Sequence, residues 1–255
     1  MKNIPTLRAT LYLLLSLLGM LIGSLFPTPI SALIHLLLVL LALLIEKRTF
    51  DGEGVPRLSA SALWRMPRLW LIFPVFAFFT LGANLLSARL TLALGGSLPD
   101  MPPSLPLFLG AVLIAPVAEE LLFRGLLIRL FRPFGDASAI LLSALLFALA
   151  HGSLFQMPYA FVAGLFLAFA ATASGGILYP LLFHVFYNLL TFFGGKIPTL
   201  PLLLSLCGLA AFSLLLFLLG KHPKLTKGDV RPSVRELLPL LCYAVLMAIF
   251  ALLNF

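Results

Sequence analysis

The composition of the chain indicates a membrane protein. Its 255 residues are 62% hydrophobic and only 10% charged, and the mean hydropathy is +1.13. Soluble globular proteins carry about 25% charged residues, so this composition excludes a soluble enzyme or binding domain. The formal net charge of +8 would favour nucleic acid binding in a soluble protein. In a membrane protein, topology explains these positive charges, and we predict no nucleic acid partner.

Nine apolar segments of the chain are candidates for membrane helices. A helix needs about 17–25 apolar residues to cross the hydrocarbon core. The segments lie at about 9–26, 29–45, 69–94, 106–130, 138–155, 157–173, 177–194, 199–219 and 236–254. Because the fifth and sixth segments run close together, we predict an all-α, polytopic transmembrane bundle of eight or nine helices. Residues 1–255 are predicted to form a single membrane domain.

The distribution of lysine and arginine predicts the topology. If the N-terminus is cytoplasmic and nine crossings alternate, every lysine and arginine except Arg89, Arg124 and Lys196 falls on the cytoplasmic side. Positive residues are enriched on that side in membrane proteins. We therefore predict that the protein lies in a lipid bilayer with its N-terminus on the cytoplasmic side. Binding of the basic loops to anionic headgroups is the alternative explanation.

Small residues mark the sixth segment as a central helix. Helices in lipid approach closely where their side chains are small. The small residues of this segment are Ala160, Ala163, Gly164, Ala168, Ala170, Ala171 and Ala173. We expect other helices to pack around it.

The two cysteines show no metal or disulfide pattern. Cys207 and Cys242 lie in separate apolar segments, without the spacing of metal ligands. We predict that both are small core residues.

Two adjacent glutamates lie in the middle of the fourth segment. On a helix, Glu120 and Arg124 share one face, whereas Glu119 points about 100° away. A charge at this depth costs about 2.5–3.5 kcal/mol, so such residues usually mark functional sites. We predict a Glu120–Arg124 ion pair and a separate Glu119 carboxylate that serves as a general base. Pro116, just upstream, predicts a kink in this helix.

Two later segments each place a histidine four residues from a second side chain. Phe147 and His151 share a face of the fifth segment, and His184 and Asn188 share a face of the seventh. N–H groups of histidine and asparagine in a dry site are suited to an oxyanion hole.

Each of these residues also has a structural explanation. A lone intramembrane histidine more often makes an interhelical hydrogen bond, and we interpret His35 in this way. A pair such as Glu120–Arg124 can clamp a bundle without taking part in catalysis. The occurrence of all three pairs in separate membrane segments at overlapping depth favours one functional site.

The three motifs, in this order, resemble those of the CPBP family. This family comprises type II CAAX prenyl proteases and their bacterial relatives linked to bacteriocin processing and self-immunity. The resemblance covers about residues 105–195, the predicted catalytic core, and includes Asn188 where the family has Asn or Asp. It implies an endopeptidase of the bacterial cytoplasmic membrane. A protein or peptide substrate would reach it from the cytoplasmic side or from the membrane plane.

The resemblance also implies roles for individual side chains. Glu119 and His151 would activate a water molecule for attack on a peptide carbonyl. His184 and Asn188 would stabilise the oxyanion. The supporting residues would be Glu120, Arg124 and Phe147.

A zinc-dependent version of the same protease is an alternative. Glu119, His151 and His184 match the two imidazoles and one carboxylate of a catalytic zinc site, with water as fourth ligand. However, the chain has no His-Glu-x-x-His pair, and Glu119 as ligand would leave only Glu120, paired with Arg124, as base. We therefore favour a mechanism without a cofactor.

Two non-proteolytic functions also remain open. A transporter or proton relay would also bury Glu, His and Arg, but it predicts internal repeats and interrupted helices that the sequence does not show clearly. An immunity scaffold would keep the same residues and act by binding a partner. Serine and aspartyl intramembrane proteases are disfavoured, because the chain has no Gly-x-Ser-x-Gly motif and no aspartate inside a predicted crossing.

Overall fold

The computed structural model describes residues 5–49, 66–98, 103–194, 199–220 and 223–253. Within these ranges the chain forms nine long helices and no β-strand, which confirms the all-α prediction. The helices are α1 (Pro5–Gly23), α2 (Thr28–Thr49), α3 (Ile72–Ala93), α4 (Leu105–Phe134), α5 (Asp136–Ala150), α6 (Met157–Ser174), α7 (Leu178–Gly194), α8 (Thr199–Leu218) and α9 (Val234–Leu253).

Six of these helices are long and apolar enough to cross a membrane. They are α1, α2, α3 with its preceding 3₁₀ turn, α4, α6 and α9, whereas α5, α7 and α8 are apolar but shorter. The protein is therefore an integral membrane protein. The number of crossings, eight or nine, and the single-domain organisation stay predictions.

Helix α4 departs twice from regular α-helical geometry. Phe108–Ile114 and Glu120–Leu127 are π-helical, and the α-helical turn Ala115–Glu119 separates them. π-Helical turns inside α-helices are frequent at functional sites. Pro116 lies two residues after the end of the first π-helical segment, so the irregularity predicted from this proline lies on its N-terminal side. Glu119 and Glu120 lie where the helix changes from one geometry to the other.

Helix α6 packs closely against its neighbours through small residues, as predicted. Buried small residues on this helix are Ala160, Ala163, Gly164, Ala168, Ala170 and Ala171. A Cβ atom on Gly164 would lie 2.9 Å from the Cα atom of Ala144 on α5. Only glycine permits this approach between the two helices.

Aromatic side chains join α3 to α7. Trp70, Phe73 and Phe76 pack against Tyr179, Phe183 and Phe186, with ring centroids 5.3–6.3 Å apart. These contacts begin at the N-terminal end of α7 and extend to its middle, at Phe186. They therefore hold the first half of α7 in place.

The prediction that Cys207 and Cys242 belong to the core is wrong. Both side chains are exposed, on α8 and α9 respectively. In a membrane protein, an outward-facing surface is as apolar as the interior, so hydropathy does not separate the two.

Candidate active site

Glu120 lies at the centre of a buried hydrogen-bond cluster. Its Oε1 atom accepts hydrogen bonds from Arg124 Nη1 at 3.1 Å and from His184 Nδ1 at 2.8 Å. The side chains of Glu120 and Arg124 are both fully buried, and the predicted ion pair is present. A buried pair is tolerated only with good geometry and further hydrogen bonds. Here the histidine supplies one of them and connects α4 to α7.

The bond to Glu120 orients the ring of His184. Because a carboxylate accepts hydrogen bonds, this contact assigns a proton to Nδ1. The other ring nitrogen, Nε2, lies 3.7 Å from Glu119 Oε2. This distance is too long for a hydrogen bond, so both atoms are available to a third molecule. The Glu119 side chain is 21% exposed, in contrast to the inaccessible Glu120.

The ring of Phe147 connects the charged cluster to both histidines. The Arg124 guanidinium carbon lies 4.3 Å from the ring centroid, within cation–π range. The rings of His151 and His184 meet the same phenyl ring edge to face, with centroids 4.8 and 5.9 Å away, and Phe123 packs at 5.1 Å. One side chain of α5 thus positions groups from α4, α5 and α7.

His151 directly follows the last residue of α5 and is partly exposed. Its Nδ1 atom lies 2.8 Å from the Phe147 carbonyl oxygen, which can only accept, so Nδ1 carries a proton. In the neutral ring, Nε2 is then free to accept a hydrogen bond. The connection to α6 begins with Gly152, at φ +59°, where a Cβ atom would lie 2.8 Å from the Phe250 ring.

Asn188 lies one turn beyond His184 on α7. Its Nδ2 atom donates to the backbone carbonyl of Ala111 at 3.0 Å, in the first π-helical segment of α4. The amide has two N–H groups, so one of them remains for another acceptor. Side-chain contacts thus join the other residues of the three motifs. Asn188 instead bonds to the main chain of α4.

Two residues near Glu119 have no counterpart among the predicted site residues. Tyr159, on α6, lies within electrostatic range of the Glu119 carboxylate and also interacts with Gln156. His35 also lies within this range, and its Nε2 atom is 2.7 Å from Ser16 Oγ on α1. The predicted interhelical hydrogen bond of His35 is therefore present. Tyr159 belongs to none of the motifs, and only the packing of α6 brings it near Glu119.

The proposed zinc ligands do not form a recognisable metal site. Among the described residues, no group of three His, Cys, Asp or Glu side chains has the arrangement that could hold a metal ion. The choice between the metal-free mechanism and the zinc alternative with Glu119, His151 and His184 stays a prediction. We derive no reaction step through a metal.

Comparison with known proteins supports the motif resemblance. An Escherichia coli protein described as an uncharacterized 24.3 kDa protein is 35% identical over 95 residues. This match covers 35% of the present chain and 42% of the relative, so the chain aligns with less than half of that protein. No solved structure matches the chain. Residues 101–190 match the model of the Rce1-like type II CAAX prenyl endopeptidases, so this segment is similar to the family whose motifs it resembles.

Proposed function

We propose that the protein is a membrane-embedded, CAAX-protease-like endopeptidase that hydrolyses a peptide bond with a water molecule activated by Glu119 and His151. The observation that carries this proposal is the difference between the two neighbouring glutamates. Glu120 is buried and bonded to Arg124 and His184, whereas Glu119 is partly exposed and 3.7 Å from His184 Nε2. A general base must be free to receive a proton, and Glu119 meets this condition.

The reaction needs no covalent intermediate. Glu119 takes a proton from the water, whose oxygen attacks the carbonyl carbon. His151 Nε2 meanwhile accepts a hydrogen bond from the second O–H of the water. The tetrahedral oxyanion accepts hydrogen bonds from the free N–H of Asn188 and from Nε2–H of His184, when that ring is protonated at both nitrogens. Glu119 then returns the proton to the amide nitrogen and the C–N bond breaks. The new carboxylic acid passes its proton to the amine, so a carboxylate and an ammonium group leave.

The charge of the cluster supports this scheme. With His184 as imidazolium, two positive groups, His184 and Arg124, balance the two carboxylates of Glu119 and Glu120. A balanced cluster is favourable where the surroundings are apolar, because isolated charge is poorly solvated there.

The substrate side of the proposal follows from the family and from charge distribution. We propose a protein or peptide substrate that reaches the site from the cytoplasmic side or the membrane plane of a bacterial cytoplasmic membrane. The N-terminus would be cytoplasmic. The family match also supports a protease over the transporter.

The proposal is tested by comparing peptide termini in membranes from cells that carry wild-type protein, Glu119→Gln or Asp229→Asn. Asp229 is an exposed loop carboxylate and provides the matched control for loss of one negative charge. We expect a set of new termini with the wild type and the control, and its loss with Glu119→Gln at equal protein level. An unchanged set in Glu119→Gln would instead support a scaffold or a transporter.

A further inference from the structure

Helix α3 carries a row of polar side chains that face the interior of the bundle. Thr80, Asn84, Ser87 and Thr91 follow one another at intervals of four, three and four residues, which places them on one helical face. The exposed fractions of Thr80, Ser87 and Thr91 are only 0, 3 and 5%. Ser87 Oγ donates to the Phe155 carbonyl at 2.5 Å, in the connection that follows His151. The row thus points inward and not toward lipid.

Tyr187 of α7 faces this row, between His184 and Asn188 in the sequence. Its ring packs against Phe76, one turn before Thr80, with centroids 5.4 Å apart. Its hydroxyl interacts with the Asn84 side chain, but outside normal hydrogen-bond geometry. We name Thr80, Asn84, Ser87 and Tyr187 the polar seam.

Two hydroxyls of the polar seam are buried and lack a hydrogen bond of normal geometry. Thr80 Oγ1 and Tyr187 Oη make no hydrogen bond to any described residue. A buried hydroxyl without a partner is unfavourable, and lipid cannot supply one. Each such group calls for an explanation. One explanation is a ligand whose hydrogen-bonding groups pair with these hydroxyls when it binds.

The polar seam leads to the reactive groups. Tyr187 directly precedes Asn188 on α7, and Ser87 bonds to the connection that follows His151. Along α3, Thr80 and Ser87 are separated by about 10 Å, which is the length of about three residues of an extended peptide. An extended main chain presents donors and acceptors at regular intervals, as the row requires.

The packing between α3 and α7 differs on the two sides of Thr80. On the N-terminal side of α3, the contacts are aromatic and include Phe73 and Phe76 against Phe183. On the other side, the row is polar. Both unpartnered hydroxyls are shielded, so a ligand reaches them only after a local rearrangement of the packing around them.

We propose that the polar seam binds the main chain of an extended peptide, which enters between α3 and α7 and brings its scissile bond to Glu119 and His184. This inference rests on the proposed endopeptidase function and assigns the site its substrate-binding element. Main-chain N–H and C=O groups supply the missing partners of Thr80 and Tyr187. The seam therefore recognises an extended backbone and not a particular side chain.

The test uses the purified full chain in lipid nanodiscs and a quenched fluorogenic peptide with a Glu119-dependent cleavage sequence. Thr80→Val and Tyr187→Phe each remove one hydroxyl with little change in shape. We expect each to raise KM about fivefold with little change in kcat, because the lost bond is made in both the ground and transition states. Thr172→Val is the matched control, since Thr172 Oγ1 is also buried and unpartnered but lies about 20 Å further along α6 than Tyr159.

N-methylated peptides test the main-chain contact directly. Methylation of the amide that meets one of the hydroxyls should raise KM in the wild type but have no further effect in the variant lacking that hydroxyl. The peptide-binding role of the polar seam is overturned by an unchanged KM in both variants, or by an equal effect of every N-methyl group in all proteins. The proposed endopeptidase function is unaffected by either result. A seam that holds only water predicts these results. If the variants fold poorly, the test uses N-methylated peptides with the wild-type protein only. The proposal is then overturned if N-methylation leaves KM unchanged at every position. Absence of any Glu119-dependent hydrolysis would overturn both proposals.

Discussion

Two of the charged clusters among the described helices differ in how fully their hydrogen-bonding atoms are used. In the first, both carboxylate oxygens of Glu46 accept hydrogen bonds from Arg8, and one also accepts from the Tyr12 hydroxyl at 2.7 Å. In the second, Glu120 accepts from Arg124 through one oxygen only. Among the described residues, Glu120 Oε2 and Arg124 Nε have no hydrogen-bond partner.

Because of this difference, one cluster only joins helices, whereas the other has atoms left to bind a further group. The Glu46 cluster connects α1 to α2 and is satisfied within the protein. The Glu120 cluster keeps unused atoms and adjoins Glu119, a partly exposed carboxylate with no hydrogen bond to the nearest histidine nitrogen. Buried polar atoms without partners are rare in proteins, and functional sites are where such departures are expected.

The largest expected effect is on stability, from removing one charge of the buried pair. Glu120→Gln leaves the Arg124 charge buried without its partner, and we expect a loss of about 3–5 kcal/mol in the free energy of unfolding. Glu46→Gln should lose only about 1–3 kcal/mol, because its cluster is nearer to solvent and neutral hydrogen bonds replace charged ones. Denaturant unfolding of both purified variants in detergent measures the difference. Equal losses would contradict the contrast between the clusters.

The next effect distinguishes two buried histidines, each with one polar partner at 2.7–2.8 Å. His184→Ala should lower the hydrolysis rate about 100-fold, because an oxyanion donor is lost. His35→Ala should lower thermal stability and leave the rate unchanged, since its bond to Ser16 joins α1 to α2. The rates are measured with the fluorogenic peptide. A similar loss of rate in His35→Ala would make His35 part of the reactive cluster.

A smaller effect is expected from the ring that connects the cluster. Phe147→Leu removes the cation–π contact with Arg124 and the edge contacts with both histidines, and the rate should fall about tenfold. Phe131→Leu is the control, because Phe131 is an equally buried aromatic residue of α4. Both variants should lose similar stability, which calorimetry checks. If the rate falls in proportion to the loss of stability in both variants, Phe147 acts only by packing.

The smallest expected effect is that of chelation. Because no group of three potential ligands has metal-site geometry in the described part of the chain, activity should survive prolonged treatment with a chelator. Metal content and hydrolysis are measured on the same sample. Loss of activity that added Zn²⁺ restores would establish the zinc alternative with Glu119, His151 and His184.

Sequence periodicity predicted much of this architecture. The nine apolar segments correspond to the nine helices, and the four-residue spacing of Glu120 and Arg124 predicted their contact. Both properties are local, since helix length and neighbours one turn apart depend only on nearby residues. The π-helical segments of α4 were not foreseen beyond the irregularity at Pro116. The exposure of Cys207 and Cys242 was predicted wrongly, because lipid and core are equally apolar.

By itself, the sequence determined an all-α membrane protein, the similarity of residues 101–190 to a protease family, and the helical faces that carry the charged residues. Only the tertiary structure decided that Glu120 binds His184, 64 residues away, and so turns Nε2 of that ring toward Glu119. It also decided that Thr80 and Tyr187 lie buried without partners. Such contacts depend on how helices distant in the chain rotate and pack against one another, and no local pattern of residues encodes that arrangement.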